Sequence, residues 1–174
     1  MTISPDTKDW TWVLRERCPD CGLDAGSVPF AQIGPRIREA TSGWTERLGR
    51  PDVALRPELF TWSPLEYGAH VRDVLTVMRG RLHLMLENDD PGFPNWDQDR
   101  AAVDGKYDQA DPKDVAAAIA ANTELLSSDF AAVPEEHAGR TGLRSNGSRF
   151  TVLTLGQYAL HDLVHHAWDV REER

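Results

Sequence analysis

The sequence predicts an all-α protein: a four-helix bundle with long crossover loops and an N-terminal extension. Three observations carry that reading. Four segments repeat apolar residues at three- and four-residue multiples, the mark of an amphipathic helix. Three of the four begin at a recognisable helix-start signal. Between the segments lie stretches rich in Pro, Gly and Asp, with no sustained alternation that would demand a sheet.

The first helical segment spans about residues 29 to 48, with Ile33, Ile37, Trp44 and Leu48 on one face, and stops before Gly49 and Pro51. The second starts most clearly: Ser63 as cap, Pro64 at the first helical position and Glu66 three residues after the cap make a capping box. Its apolar face, Leu65, Ala69, Leu75, Met78, Leu82 and Met85, runs to about Glu87. The third opens at Asp111 with Pro112, carries Val115, Ile119, Leu126 and Phe130, and is closed by Pro134. For the fourth, Thr154 and Gln157 form a second capping-box pattern, followed by Leu160, Val164, Ala167 and Val170 down to Glu173. Residues 150–153 and Trp10–Leu14 keep some strand character, enough for a short pairing at the edge. The connection from residue 89 to 110 is too long for a turn between neighbours and reads as a wall or lid around Trp96 and Tyr107.

A chain of 174 residues suits one core, and its net charge of −9 argues against nucleic acid or an anionic membrane as partner. No stretch is long and apolar enough to span a bilayer, and the N-terminus MTISPDTKDW lacks the basic and apolar regions of a secretory signal, so the expectation is a cytoplasmic protein. Two cysteines cannot build a disulfide framework. Sixteen Arg against three Lys fit a GC-rich genome, such as that of an actinobacterial host. A homodimer is compatible with a bundle of this size, but the helix faces do not specify one.

The chemistry concentrates in the histidines. His161 and His165 are four residues apart on the fourth helix, so their imidazoles lie on one face and can converge on one ion, whereas His166 points about 100° away. A catalytic zinc commonly takes three protein ligands and leaves a fourth position open. His70 is the best third ligand. It lies roughly 10 Å inside the second helix, a depth that matches the His pair if the second and fourth helices run parallel. The plainer alternative is a pair of ordinary buried or surface histidines. His83 and His137 read as solvated side chains.

The segments TWSPLEYGAHVRDV and LHDLVHHAWDV resemble the DinB-like superfamily of four-helix-bundle proteins, which includes thiol-dependent S-transferases and isomerases and metal-dependent hydrolases. The resemblance covers about residues 27 to 172, which leaves residues 1–26 as the extension and 27–174 as the bundle domain. It implies a divalent metal, zinc first and nickel second, held by His70, His161 and His165. It also implies a small-molecule substrate. In some members the open position activates a low-molecular-weight thiol, which in an actinobacterial host would be mycothiol as co-substrate; the same position could instead serve hydrolysis, and the alternative of a different class is a non-catalytic metal- or ligand-binding bundle.

Helical spacing puts Glu66 and Asp73 near the His70 face and Asp169 four residues after His165, as candidate bases or partners for the ligand rings. The alternatives are that Glu66 only serves its capping box and that both Asp residues pair with surface Arg. The CPDCG segment offers Cys18 and Cys21, half of a zinc ribbon without its second half. With His161 and His165 it would complete a Cys2His2 set, but that set competes with His70 for the same pair and closes the site. The favoured expectation is an extension lying against the bundle with reduced thiols.

Overall fold

The computed structural model describes residues 9–171. Its α-helices are α1 (Ile33–Thr41), α2 (Trp44–Leu48), α3 (Pro64–Glu87), α4 (Gln98–Asp104), α5 (Pro112–Ala132) and α6 (Val152–Asp169). Three short strands, β1 (Gly92–Phe93), β2 (Thr141–Arg144) and β3 (Arg149–Thr151), and several one-turn 3-10 helices accompany them. The bundle consists of α1, α3, α5 and α6. Each of α1 and α3 packs against both α5 and α6, so α1 and α3 stand on opposite corners and α6 lies beside α3.

The caps explain where the helices begin. Ser63 accepts from the Glu66 amide while the Glu66 carboxylate accepts from the Ser63 amide, a complete capping box ahead of α3. Asp111 accepts from the amides of Lys113 and Asp114 ahead of α5. The fourth bundle helix starts earlier than its sequence pattern predicts: Thr151 is the cap, and Thr154 answers it reciprocally at the third position. Gln157 is thereby freed from capping. Its side chain, buried, donates to the carbonyls of Gly26 and Val28 and ties the N-terminal segment to α6. The helix ends at Asp169, and Glu173 lies outside the described residues.

The first predicted helix is two. Gly43, a poor helix former, interrupts it after Ser42, and the shift lets Trp44 and Leu48 of α2 bury against α3. The core follows the predicted faces of α3, with Leu75, Met78, Leu82 and Met85 buried, and of α5, with Ile119, Leu126 and Phe130 buried; of the face predicted for α6, Leu160 and Val170 are buried, and Leu155 and Leu163, outside that face, are buried as well. Val164 and Ala167 are only half-buried, because α6 turns a second face toward α3. At Gly156 a Cβ would stand 2.8 Å from Ile33 and 2.9 Å from the Phe130 ring, so only glycine lets α6 approach α1 and α5 this closely.

The strands form a sheet in the order β1-β2-β3, with β1 and β2 parallel (Gly92 opposite Leu143) and β2 and β3 antiparallel (Gly142 opposite Phe150). The strand character at residues 150–153 is realised in β3, but Trp10–Leu14 is a 3-10 helix, capped by Asp9 accepting from the Thr11 amide. That short helix and the turn at Ala25–Ser27 both pack on α6. No described helix is long and apolar enough to cross a membrane.

Candidate metal centre

The relative direction of α3 and α6 decides which donors meet. Early in α3, Tyr67 packs its ring 5.2 Å from that of His166, near the end of α6. At the other end of α3, Arg140, just ahead of β2, donates to the Met85 carbonyl, and β3 leads straight into the start of α6. The two helices therefore run antiparallel. His70, six residues after the start of α3 at Pro64, stands level with Asp162 and His166, seven and three residues before the end of α6.

The expected grouping of His70, His161 and His165 needed parallel helices, and the structure does not bring these three rings together. The described residues form two sets instead, each with donor atoms mutually within 4.8 Å: His70 with Asp162 and His166, and Cys18 and Cys21 with His161 and His165. The pairs on α6 are both four residues apart and offset by one residue, so they leave the helix about 100° apart and serve two different neighbours.

In the first set, His70 is fully buried, and neither of its ring nitrogens has a hydrogen-bond partner among the described residues. Its Nε2 lies 3.6 Å from Asp162 Oδ1, beyond hydrogen-bond reach. The same carboxylate oxygen is 2.9 Å from His166 Nε2, and His166 Nδ1 is 2.9 Å from Asp169 Oδ2. A tetrahedral ion with bonds of 2.0–2.1 Å separates its ligand atoms by about 3.3 Å, so distances of 2.9 and 3.6 Å need only small side-chain adjustments. An orphaned buried imidazole, a carboxylate between two rings and an outer carboxylate bracing one of them fit a divalent cation. Burial pushes the His70 pKa down, against the opposing pull of Asp162, and so favours the neutral ring that a metal requires. Burial also works against the His166 cation, but Asp162 and Asp169 outweigh it and raise that pKa to about 9. Asp162, in spite of its own burial, is held far below the usual carboxylate range by His166 and His70.

Aromatic rings wall this set. Trp96 stacks on His70 with centroids 5.2 Å apart and planes 11° apart, and Trp62 covers another side at 5.3 Å. Trp96 comes from the long connection between α3 and α5, which thus acts as a wall of the centre. Tyr107 of the same connection is buried and donates to Asp73 Oδ2 at 2.5 Å. Asp73 also accepts from Arg72 Nε at 2.7 Å, so it anchors the connection rather than standing ready as a base.

The other predicted carboxylates divide. Glu66 is buried, closes its capping box and pairs with Arg56, which donates through Nε at 2.8 Å and also through Nη2. Arg56 and Ser63 together keep its carboxyl ionised below the usual range although burial opposes this. Asp169 does contact a ligand ring, but that ring is His166; His165 Nε2 is 3.9 Å away. Asp162 and His166 are the residues that sequence reasoning missed. The signal was their own four-residue spacing, masked by the more conspicuous histidine pair. His83 sits half-exposed against Asp129 at 2.6 Å, and His137 is exposed at the end of a short 3-10 helix, Glu135–His137.

In the second set, Cys18 Sγ is 3.6 Å from His165 Nδ1, and the imidazoles of His161 and His165 stack at 5.2 Å. Burial pushes the Cys21 thiol up to about 11 and the His161 ring down to about 4.

The family model of the DinB superfamily matches residues 36–170 of the chain. Among solved structures, YfiT from Bacillus subtilis is similar with a TM-score of 0.61 at 17% identity, over 96% of this chain and 86% of that one. It is described as a probable metal-dependent hydrolase with an unusual four-helix bundle topology. No curated protein matches the chain.

Proposed function

We propose that this chain, which belongs to the DinB superfamily, is a metal-dependent enzyme acting on a small molecule through a divalent ion held by His70, Asp162 and His166. The observation that carries the proposal is His70: fully buried, with neither ring nitrogen hydrogen-bonded among the described residues and Nε2 directed toward the carboxylate that also faces His166. Leaving two polar nitrogens buried and unpaired costs free energy that ligation would recover. Three protein ligands are the usual complement of a catalytic zinc, which keeps one position for substrate or nucleophile.

A divalent ion there supplies the positive charge that brings a coordinated water or thiol within reach of deprotonation near neutral pH. The chain's own residues set the conditions. Asp169 orients the His166 ring through Nδ1 and fixes which nitrogen faces inward. Trp62 and Trp96 exclude bulk water from the His70 side and offer flat apolar surfaces to a substrate.

The first reading of the reaction is transfer to a low-molecular-weight thiol, of the mycothiol or bacillithiol kind, with zinc or nickel as the ion. Hydrolysis is the second. It is favoured by the donor set, since two His and one carboxylate also hold the zinc of hydrolytic enzymes. The discriminating experiment presents metal-loaded protein with a panel of electrophiles and esters, with and without each thiol. Turnover that requires thiol supports the transferase, and turnover without it supports the hydrolase. Absence of both, together with unchanged metal content in His70→Ala, would overturn the proposal.

A further inference from the structure

The enzymatic centre leaves the second set of donors unused, and its geometry is specific. Cys18 and Cys21, on a turn of the N-terminal segment, and His161 and His165, on α6, each bring one ligand atom within 4.8 Å of all the others. Tetrahedral zinc with bonds of about 2.3 Å to sulfur and 2.0–2.1 Å to nitrogen puts those two atoms about 3.6 Å apart. The Cys18 Sγ to His165 Nδ1 distance is 3.6 Å.

The turn is shaped to present both sulfurs. Cys18 donates its amide to the Leu23 carbonyl at 2.9 Å, and the Gly22 amide returns to the Cys18 carbonyl at 3.0 Å. Gly22, directly after the second cysteine, has φ of 74°, a left-handed conformation that glycine adopts without strain. Opposite the turn, His161 is buried with its Nε2 lacking any hydrogen-bond partner among the described residues. Trp10 packs over both rings, at 5.8 Å from His161 and 5.2 Å from His165, and Trp168 stacks on His165 at 5.6 Å. The set is therefore screened by aromatic rings.

We infer that Cys18, Cys21, His161 and His165 form a second metal site, a closed Cys2His2 zinc site that is structural and separate from the enzymatic centre. Two thiols lose their protons to solvent on binding, and the resulting thiolates balance the dication while two neutral imidazoles complete the tetrahedron. Four protein ligands leave no place for substrate. What the site does is join the N-terminal segment to α6, across contacts 147 residues apart in sequence. Because His161 and His165 each precede a member of the other pair by one residue, fixing the rotation of α6 here also fixes the direction in which Asp162 and His166 project.

The test uses the full chain loaded with cobalt(II) in place of zinc. Thiolate-to-cobalt charge-transfer absorption in the near ultraviolet is expected for the wild type and for His70→Ala, and its loss for Cys18→Ser/Cys21→Ser. Metal analysis of zinc-loaded protein should show one equivalent per chain less in that double variant than in the wild type. Cobalt-loaded wild type without the charge-transfer bands would overturn the inference, as would a Cys18–Cys21 disulfide in protein isolated without oxidant. The wild-type spectrum decides the matter even if the double variant fails to fold. A failure of the enzymatic proposal, seen as no turnover, would leave these bands in place.

Discussion

Two pairs of donors, one residue out of step on the same helix, take on different chemistry because of what faces them. His161 and His165 look toward a turn that supplies two sulfurs, and the resulting set has four protein donors and no vacancy. Asp162 and His166 look toward α3, which supplies a single imidazole, and the resulting set has three donors braced by Asp169. The helix contributes equal spacing to both. The opposing element fixes the count and softness of the donors, and hence whether a substrate can enter.

The comparison is broken most severely by removing the one donor that α3 provides. His70→Ala is expected to lose the enzymatic metal and to lower turnover by more than the roughly 100-fold upper end of an outer-partner loss, while the thiolate-bound metal stays. Metal content and activity measured on the same sample check this, and loss of both metals would show that the two sets are not separate. Asp169→Asn should act on only one set as well. It leaves the three ligands in place but weakens the orientation of His166, so a drop of about 10–100-fold in affinity at the enzymatic centre is expected by calorimetric titration. An equal drop at the sulfur-containing set would contradict the assignment. Glu66→Gln should leave both metals untouched and lower stability by about 1–3 kcal/mol in denaturant unfolding, because the buried partner of Arg56 loses its charge and the capping box is weakened. A large activity loss at unchanged stability would return Glu66 to the list of bases.

Much of this architecture was legible in the chain itself. The caps at Ser63 and Asp111 work through local hydrogen bonds and can be read from a few neighbouring residues. The apolar faces of α3 and α5 follow from periodicity alone. The start of α6 was misplaced because Thr151 and Thr154 cap each other without an acidic or amide residue at the third position, and because Gln157 is used by the N-terminal segment instead. The site was legible in its residue types and helices but not in its grouping. Spacing along one helix reports which side chains share a face; it does not report which neighbour that face meets or in which direction the neighbour runs. The antiparallel course of α3 and α6 is a tertiary fact, and it sends His70 to Asp162 and His166. The set of the CPDCG turn with His161 and His165 was legible as an alternative in spite of its separation in sequence, and only the assumed competition with His70 set it aside.

The most direct measurement is anomalous scattering at the zinc edge from crystals of the zinc-loaded wild type. Two peaks are expected, one among Cys18, Cys21, His161 and His165 and the other among His70, Asp162 and His166. A single peak shared by His70, His161 and His165 would contradict the division of α6 into two metal-binding faces.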